Sequence, residues 1–283
     1  MTNQIITLKL TEEQIQKLGD AFASNKSSKV PPYAYYQLKC EDCVITAYTS
    51  GKVVFQGKDA EIYASSFQKK KTIILPQAGS DEVGTGDYFG PVCVCASYVD
   101  EKAMDVVQSL NIRDSKALTD TEIRQIAPIL EKNVIHSTLI VMPNKYNKVH
   151  ETTNLNAIKA KLHNQAYINL SKKVALPEFM IIDQFAPEPL YYRYLKDDKQ
   201  VVRHIHFETK AEDKYISVAI SSMIARNAFL NALDKMNEAY DMTFQKGGGK
   251  QADECAKEFI EKYSFDRLHE VAKIHFKNTE RLY

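Results

Sequence analysis

The sequence predicts an α/β protein of two units, a small α+β unit followed by a larger one in which helices flank a central sheet. Three observations carry this. Residues 4–68 read as β-α-β-β-β-α, Lys69, Lys70 and Lys71 mark a linker, and beyond it strands alternate with long helical patterns. One of the later strands, residues 178–183, is continuously apolar, the mark of a strand buried on both faces of a covered sheet.

Composition bounds the reading. The chain has 283 residues, 44% hydrophobic and 26% charged, enough for two domains with real cores. No unbroken apolar run approaches the roughly eighteen residues that span a bilayer, and the amino terminus lacks the basic-then-apolar pattern of a signal peptide, so no membrane partner and a cytoplasmic location are expected. Five cysteines, odd in number and sparse, fit a reducing compartment rather than a disulfide framework. The formal charge is only +1, but residues 1–71 carry ten Lys against seven acids, about +3. Lysine is a point charge suited to unspecific phosphate contact, although a solvated surface accounts for the same excess.

In the first unit, residues 4–10 alternate as a strand, and Thr11 with Gln14 forms a capping box that opens a helix to about Ala23. Pro31 and Pro32 precede a strand at 33–39. Two further strands, 43–49 and 52–56, are joined by Ser50-Gly51, a hairpin signal, and a helix at 59–68 closes the unit. Tyr33, Tyr35, Tyr36 and Tyr48, interleaved with Lys, suggest a nucleic-acid platform on the face the helices leave open; packing alone also places aromatics on strands. Cys40 and Cys43 have C-x-x-C spacing without a second ligand pair close by, and read as a turn with reduced thiols.

The larger unit opens with Asp81-Glu82-Val83-Gly84-Thr85-Gly86-Asp87 and a strand at 91–99 whose Val92, Val94 and Ala96 alternate with Cys93, Cys95 and Ser97. Carboxylates held about 4 Å apart repel by roughly 4 kcal/mol at an effective dielectric near 20, so a cation or a proton is expected beside Asp81 and Glu82. Successive strand residues point to opposite faces, which requires the strand to end, twist or bulge if the two acids are to share a site; Gly84 permits a bulge. Gly84 and Gly86 also let a ligand approach the backbone closely.

Arg113-Asp114-Ser115-Lys116 then precedes a capping box, Thr119 with Glu122, that opens a helix to about Asn133. A strand at 134–142, a helix at 154–173 and the apolar strand 178–183 follow. Such strands place sites at their carboxyl ends, which selects Asp183 as the third acid. A strand at 201–207 puts His204 and His206 on one face, half a metal site at most. A long helix is expected to begin at Glu212-Asp213, where the helix dipole alone favours acids. Gln245–Lys250 reads as a flexible basic loop. There is no G-x-S-x-G, and Ser80 has no His assignable to it as a nucleophile's base.

With the Asp81–Asp87 motif, Asp114-Ser115-Lys116, a strand ending at Asp183, and Glu212 ahead of a helix core, the chain resembles bacterial ribonuclease HIII, a type 2 ribonuclease H family. The resemblance spans essentially the whole length. It implies a TATA-box-binding-protein-like substrate-binding domain over residues 1–70 and an RNase H-like catalytic domain, with a mixed central sheet flanked by helices, over residues 71–283. It implies that Asp81, Glu82, Asp183 and Glu212 are catalytic and hold two divalent ions, Mg2+ or Mn2+; the related HII group carries Asp where Glu212 stands. It assigns Gly84, Thr85 and Gly86 to recognition of ribose 2′-hydroxyls, and Ser115 and Lys116 to the substrate backbone. The implied activity is endonucleolytic hydrolysis of the RNA strand of RNA/DNA hybrids by a monomer, leaving 5′-phosphate and 3′-hydroxyl ends, with poor cutting at a single embedded ribonucleotide. The alternatives are an HII-like enzyme with an added domain and a hybrid-binding protein without turnover.

Overall fold

The computed structural model describes residues 4–65, 67, 74–110 and 118–282. The chain packs as two compact units, Met1–Thr72 and Ile73–Tyr283. The first contains β1 (Gln4–Lys9), α1 (Glu12–Ala21), β2 (Ala34–Cys40), β3 (Cys43–Tyr48), β4 (Lys52–Gly57) and α2 (Ala60–Ser65). The strands form an antiparallel sheet in the order β1-β4-β3-β2. At the start of α1 the Thr11 hydroxyl accepts from the Gln14 amide at 3.3 Å, and the Thr11 amide donates back to the Gln14 side chain at 3.0 Å. The capping box read from the sequence is therefore present.

Period-2 alternation divides this sheet. Leu38, Ile45, Val53 and Phe55 pack under Ile15, Leu18, Ala60 and Ala64, whereas Thr7, Lys9, Lys39 and Lys52 stay exposed. The tyrosines split as well. Tyr36 packs on α1 and its hydroxyl donates to the Ile15 carbonyl at 2.6 Å, while Tyr33 and Tyr35 are 84% and 50% exposed.

The second unit runs β5 (Gln77–Val83), β6 (Val92–Val99), α3 (Glu101–Ser109), α4 (Asp120–Asn133), β7 (Ile135–Val141), α5 (Pro143–His150), α6 (Leu155–Ser171), β8 (Phe179–Asp183), α7 (Glu188–Tyr194), β9 (Ile205–Glu208), α8 (Ile216–Tyr240), α9 (Lys250–Tyr263) and α10 (Lys277–Glu280). Its sheet has the order β7-β6-β5-β8-β9, antiparallel from β7 to β5 and parallel from β5 to β9. Alternation along β6 feeds two cores: Cys93 and Cys95 pack with Ile220, Met223 and Ile224 of α8, and Val92, Val94 and Ala96 pack with Ile158, Ala166 and Tyr167 of α6.

Several expectations need correction. β9 is shorter than expected, and His204, at φ 60°, lies outside it, so it shares no strand face with His206. Helices α3, α5 and α7 were not expected; α7 is short and aromatic, and α5 is polar, so neither shows a clear helical stripe. α8 starts at Ile216 after a 3-10 turn, Ala211–Asp213, which removes Glu212 from a helical first turn and with it the helix-dipole explanation. By length and composition α8 is also apolar enough to cross a bilayer, contrary to the reading of unbroken runs, but most of it is buried as the central helix of this core.

Candidate active site

Strand β5 is paired residue for residue through Val83, with Asp81 opposite Cys95 and Glu82 opposite Val94. Of a strand end, a twist or a bulge, the strand end is the one the structure uses: β5 stops at Val83, just before Gly84. Asp81 follows Cys95 to the α8 side and is hydrogen-bonded to Ser222; Glu82 follows Val94 to the α6 side. They approach one another only because both lie near the carboxyl end of β5.

On the α8 side the acids gather. β8 runs parallel to β5, with Ser80 level with Ile182, so Asp183 ends its strand beside Asp81. One oxygen of Asp183 accepts from the Ala211 amide at 3.1 Å, which ties the strand end to the 3-10 turn carrying Glu212. Burial first, then the Glu82 charge, pushes the Asp81 carboxyl well above the usual range. Asp183 is also raised, by burial and by hydrogen bonding and charge from Glu212.

Glu82 meets the opposite environment. Burial alone would raise its pKa, but His163 and Lys159 outweigh it and hold the carboxyl below its ordinary value. His163 Nε2 lies 2.8 Å from one oxygen, and the Lys159 ammonium pairs with the other. These residues are one helical turn apart on α6 and both face inward. The imidazole continues to Ser80, Nδ1 to Oγ 2.7 Å, and the Ser80 hydroxyl lies 2.8 Å from the Cys95 carbonyl. Ser80 thus has a histidine after all. Both are fully buried, and the Ser-His-Glu line serves as internal scaffolding for Glu82.

The glycines divide by cause. Gly84 has φ +96°, and a Cβ there would lie 2.1 Å from the Pro91 carbonyl and 3.0 Å from the Phe229 ring, so the fold itself demands glycine. Gly86 has no positive φ and nothing within 4 Å of such a Cβ; it is exposed beside half-buried Thr85. The expected contacts Ser115 and Lys116 lie outside the described residues. His206 joins a separate cluster in which the Glu208 carboxylate accepts from the Tyr215 hydroxyl and pairs with Lys214.

A model of the family described as Ribonuclease HII matches residues 78–279, and a domain of unknown function matches residues 5–77. A Streptococcus thermophilus protein named ribonuclease HIII is 41% identical over 98% of both chains, and one from Bacillus pumilus is 39% identical over 97% of both. The chain belongs to the ribonuclease HIII family. Among solved structures, Bst-RNase HIII in complex with Mn2+ matches 99% of this chain and 98% of its own at 34% identity, with a TM-score of 0.74. RNase H3 of Aquifex aeolicus, 24% identical with a TM-score of 0.58, shares the fold over 95% of this chain.

Around these acids, sequence reasoning missed Lys159, His163 and Ser222. Lys159 and His163 carried a signal that was available: two basic residues at i and i+4, each next in sequence to the apolar positions Ile158 and Leu162.

Proposed function

We propose that this ribonuclease HIII-family chain is an endoribonuclease that hydrolyses the RNA strand of RNA/DNA hybrids with two divalent ions, Mg2+ or Mn2+, held by Asp81, Glu82, Asp183 and Glu212. The observation that carries the reading is the meeting of Asp81, Asp183 and Glu212, far apart in the chain, at the carboxyl ends of β5 and β8, with Glu82 adjoining from the other face. Among the described residues, no three His, Cys, Asp or Glu side chains already form a ready ligand set. The donor chemistry nevertheless fits a hard cation: all four groups are carboxylates, and burial with mutual repulsion raises Asp81 and Asp183, a condition that a divalent ion relieves.

When bound, the ions supply an activated water for in-line attack on phosphorus and charge neutralisation at the leaving 3′-oxygen. The chain's own residues do the rest. Lys159 and His163 keep Glu82 ionised and fix its direction, Ser222 and the Glu82 amide hold Asp81, and the Ala211 amide holds Asp183. Gly84 sets the turn, and Thr85 with Gly86 offers a surface bare enough for ribose 2′-hydroxyls to reach main-chain groups, the feature that tells RNA from DNA. Ser115 and Lys116 belong to the same proposal as backbone contacts.

Residues 1–70 are proposed as the hybrid-binding domain, whose accessible sheet face presents Lys9, Lys39 and Lys52 to a polyanion. A monomer in the cytoplasm completes the reading, in keeping with five free thiols. The test is cleavage of a labelled RNA strand in an RNA/DNA duplex with Mg2+, Mn2+ or chelator, beside an RNA/RNA duplex and a DNA duplex containing one ribonucleotide. Metal-dependent cutting of the hybrid alone is expected. Binding without cutting would favour a turnover-free protein, and efficient cutting at the single ribonucleotide would favour an HII-like enzyme.

A further inference from the structure

Lys273 is fully buried and has no place in the chemistry above. Its ammonium donates to the carbonyls of Asp87 and Gly90, both at 2.7 Å, and lies 3.4 Å from that of Phe89. Three donors thus meet three main-chain acceptors, all in the four residues that follow Gly86. The surrounding backbone repeats the attachment: the Lys273 amide donates to the Tyr88 carbonyl at 2.8 Å, the Gly90 amide donates to the Val271 carbonyl at 3.0 Å, and Phe89 bridges to Ala272.

A second tie comes from the glycine-rich loop ahead of α9. The Asp87 carboxylate accepts from the Gly247 amide at 2.6 Å, and the Tyr88 amide donates to the Gly247 carbonyl at 2.9 Å. Burying an ammonium without a carboxylate partner is costly, and burial lowers the Lys273 pKa to about 7. Neutral packing of a loop needs no such group. Carbonyls turned inward do need a donor, and turning 87, 89 and 90 inward commits the preceding Thr85-Gly86 step to the surface.

We propose that Lys273 is a positioning residue that fixes the Thr85-Gly86 turn as a reader of ribose 2′-hydroxyls, acting through the carbonyls of Asp87, Phe89 and Gly90. This rests on the 2′-hydroxyl role proposed above for that turn. A loop pinned at three carbonyls keeps its amides in place before substrate arrives, so binding need not order them.

The experiment compares the full-length protein with its Lys273→Met variant in Mg2+, scoring cleavage at one position in a hybrid and in the same hybrid lacking the 2′-hydroxyls of the two nucleotides flanking that position. The wild type is expected to lose about ten-fold or more in kcat/KM on removal of those hydroxyls. In Lys273→Met the same removal changes the rate by less than about three-fold, with the loss on the unmodified hybrid appearing chiefly in KM. A merely structural lysine would lower thermal stability and leave the hydroxyl ratio as in the wild type; that ratio, measured in a folded variant, overturns the proposal. A wild type indifferent to the hydroxyls overturns the reading of the turn itself, a result distinct from the first because it appears before any substitution. If Lys273→Met does not fold, Asp87→Ala tests the same latch: it removes the Gly247 tie without emptying the buried site, and should lower the hydroxyl ratio in smaller measure. An unchanged ratio there also counts against the latch.

Discussion

On the α8 side of β5, Asp81 stands among carboxylates; on the α6 side, the very next residue, Glu82, stands between an ammonium and an imidazole. The separation follows from the two-residue period of a strand, which sends neighbours to opposite faces. It teaches that one strand end can present two acids to one region while giving them opposite electrostatics. Asp81 is raised and Glu82 lowered, so together they retain a single negative charge more readily than two.

The comparison breaks most visibly in activity. Asp81→Asn should leave the fold and hybrid binding intact and lower kcat by about three orders of magnitude or more, the scale of losing several kcal/mol of charge stabilisation. Steady-state cleavage with a parallel binding titration checks it, and full activity in Mg2+ would sink the site assignment. Next is stability on the other face. Lys159→Met leaves the largely buried Glu82 side chain short of a partner and should destabilise by about 3–5 kcal/mol in denaturant unfolding, with most of the loss recovered in the Lys159→Met, Glu82→Gln double variant. Asp81→Asn, which removes a carboxyl that the folded chain keeps protonated while the unfolded chain ionises it, should raise stability in the same assay with chelator present.

The glycines give a contrast of intermediate size. Gly84→Ala forces a Cβ against the Pro91 carbonyl at a positive φ and should cost at least about 1–3 kcal/mol. Gly86→Ala should unfold as the wild type does and instead raise KM for the hybrid, because its methyl group meets only what arrives from solvent.

The last contrast is the pH dependence with chelator present. The folded Asp81 carboxyl keeps a proton that the unfolded chain releases near 3.8, so its contribution is full below that pH and is lost as pH rises toward about 8. Glu82 acts in reverse: its contribution is present above the ordinary 4.5 and is lost as pH falls through its lowered folded value. Unfolding free energies from pH 3 to 8 should therefore show a decline on the alkaline side that Asp81→Asn flattens, and one on the acid side that Glu82→Gln flattens.

Local signals in the sequence were reliable where they described local physics. The Thr11–Gln14 and Thr119–Glu122 capping boxes both form, because each needs only atoms within one turn. The apolar run before Asp183 is a strand buried between α6 and the α8 side, with the acid at its carboxyl end as read. The alternation along 91–99 coincides with the division between the two cores. Failures came where a non-local partner decides. α5 and α7 gain their order from packing, with Asn147 bonded to the His269 and Ala272 carbonyls and Tyr191 sealed under β8 and β9. Helix α3 was legible and overlooked: Asp100 caps it by accepting from the Ala103 amide at 2.9 Å.

By itself, then, the sequence determined which residue types were available for chemistry and which stretches would be strands, helices and turns, since side-chain period, caps and φ preferences act over a few residues. Its motifs, with the family they resemble, pointed to Asp81, Glu82, Asp183 and Glu212 as candidate metal ligands. Only the tertiary structure decided that Asp81 and Glu82 face different helices, that Glu212 lies in a turn tied to Asp183, and that Lys159, His163 and Lys273 reach groups far away in the chain. Burial and charge pairing between distant segments depend on which faces the sheet brings together, and no short-range pattern records that.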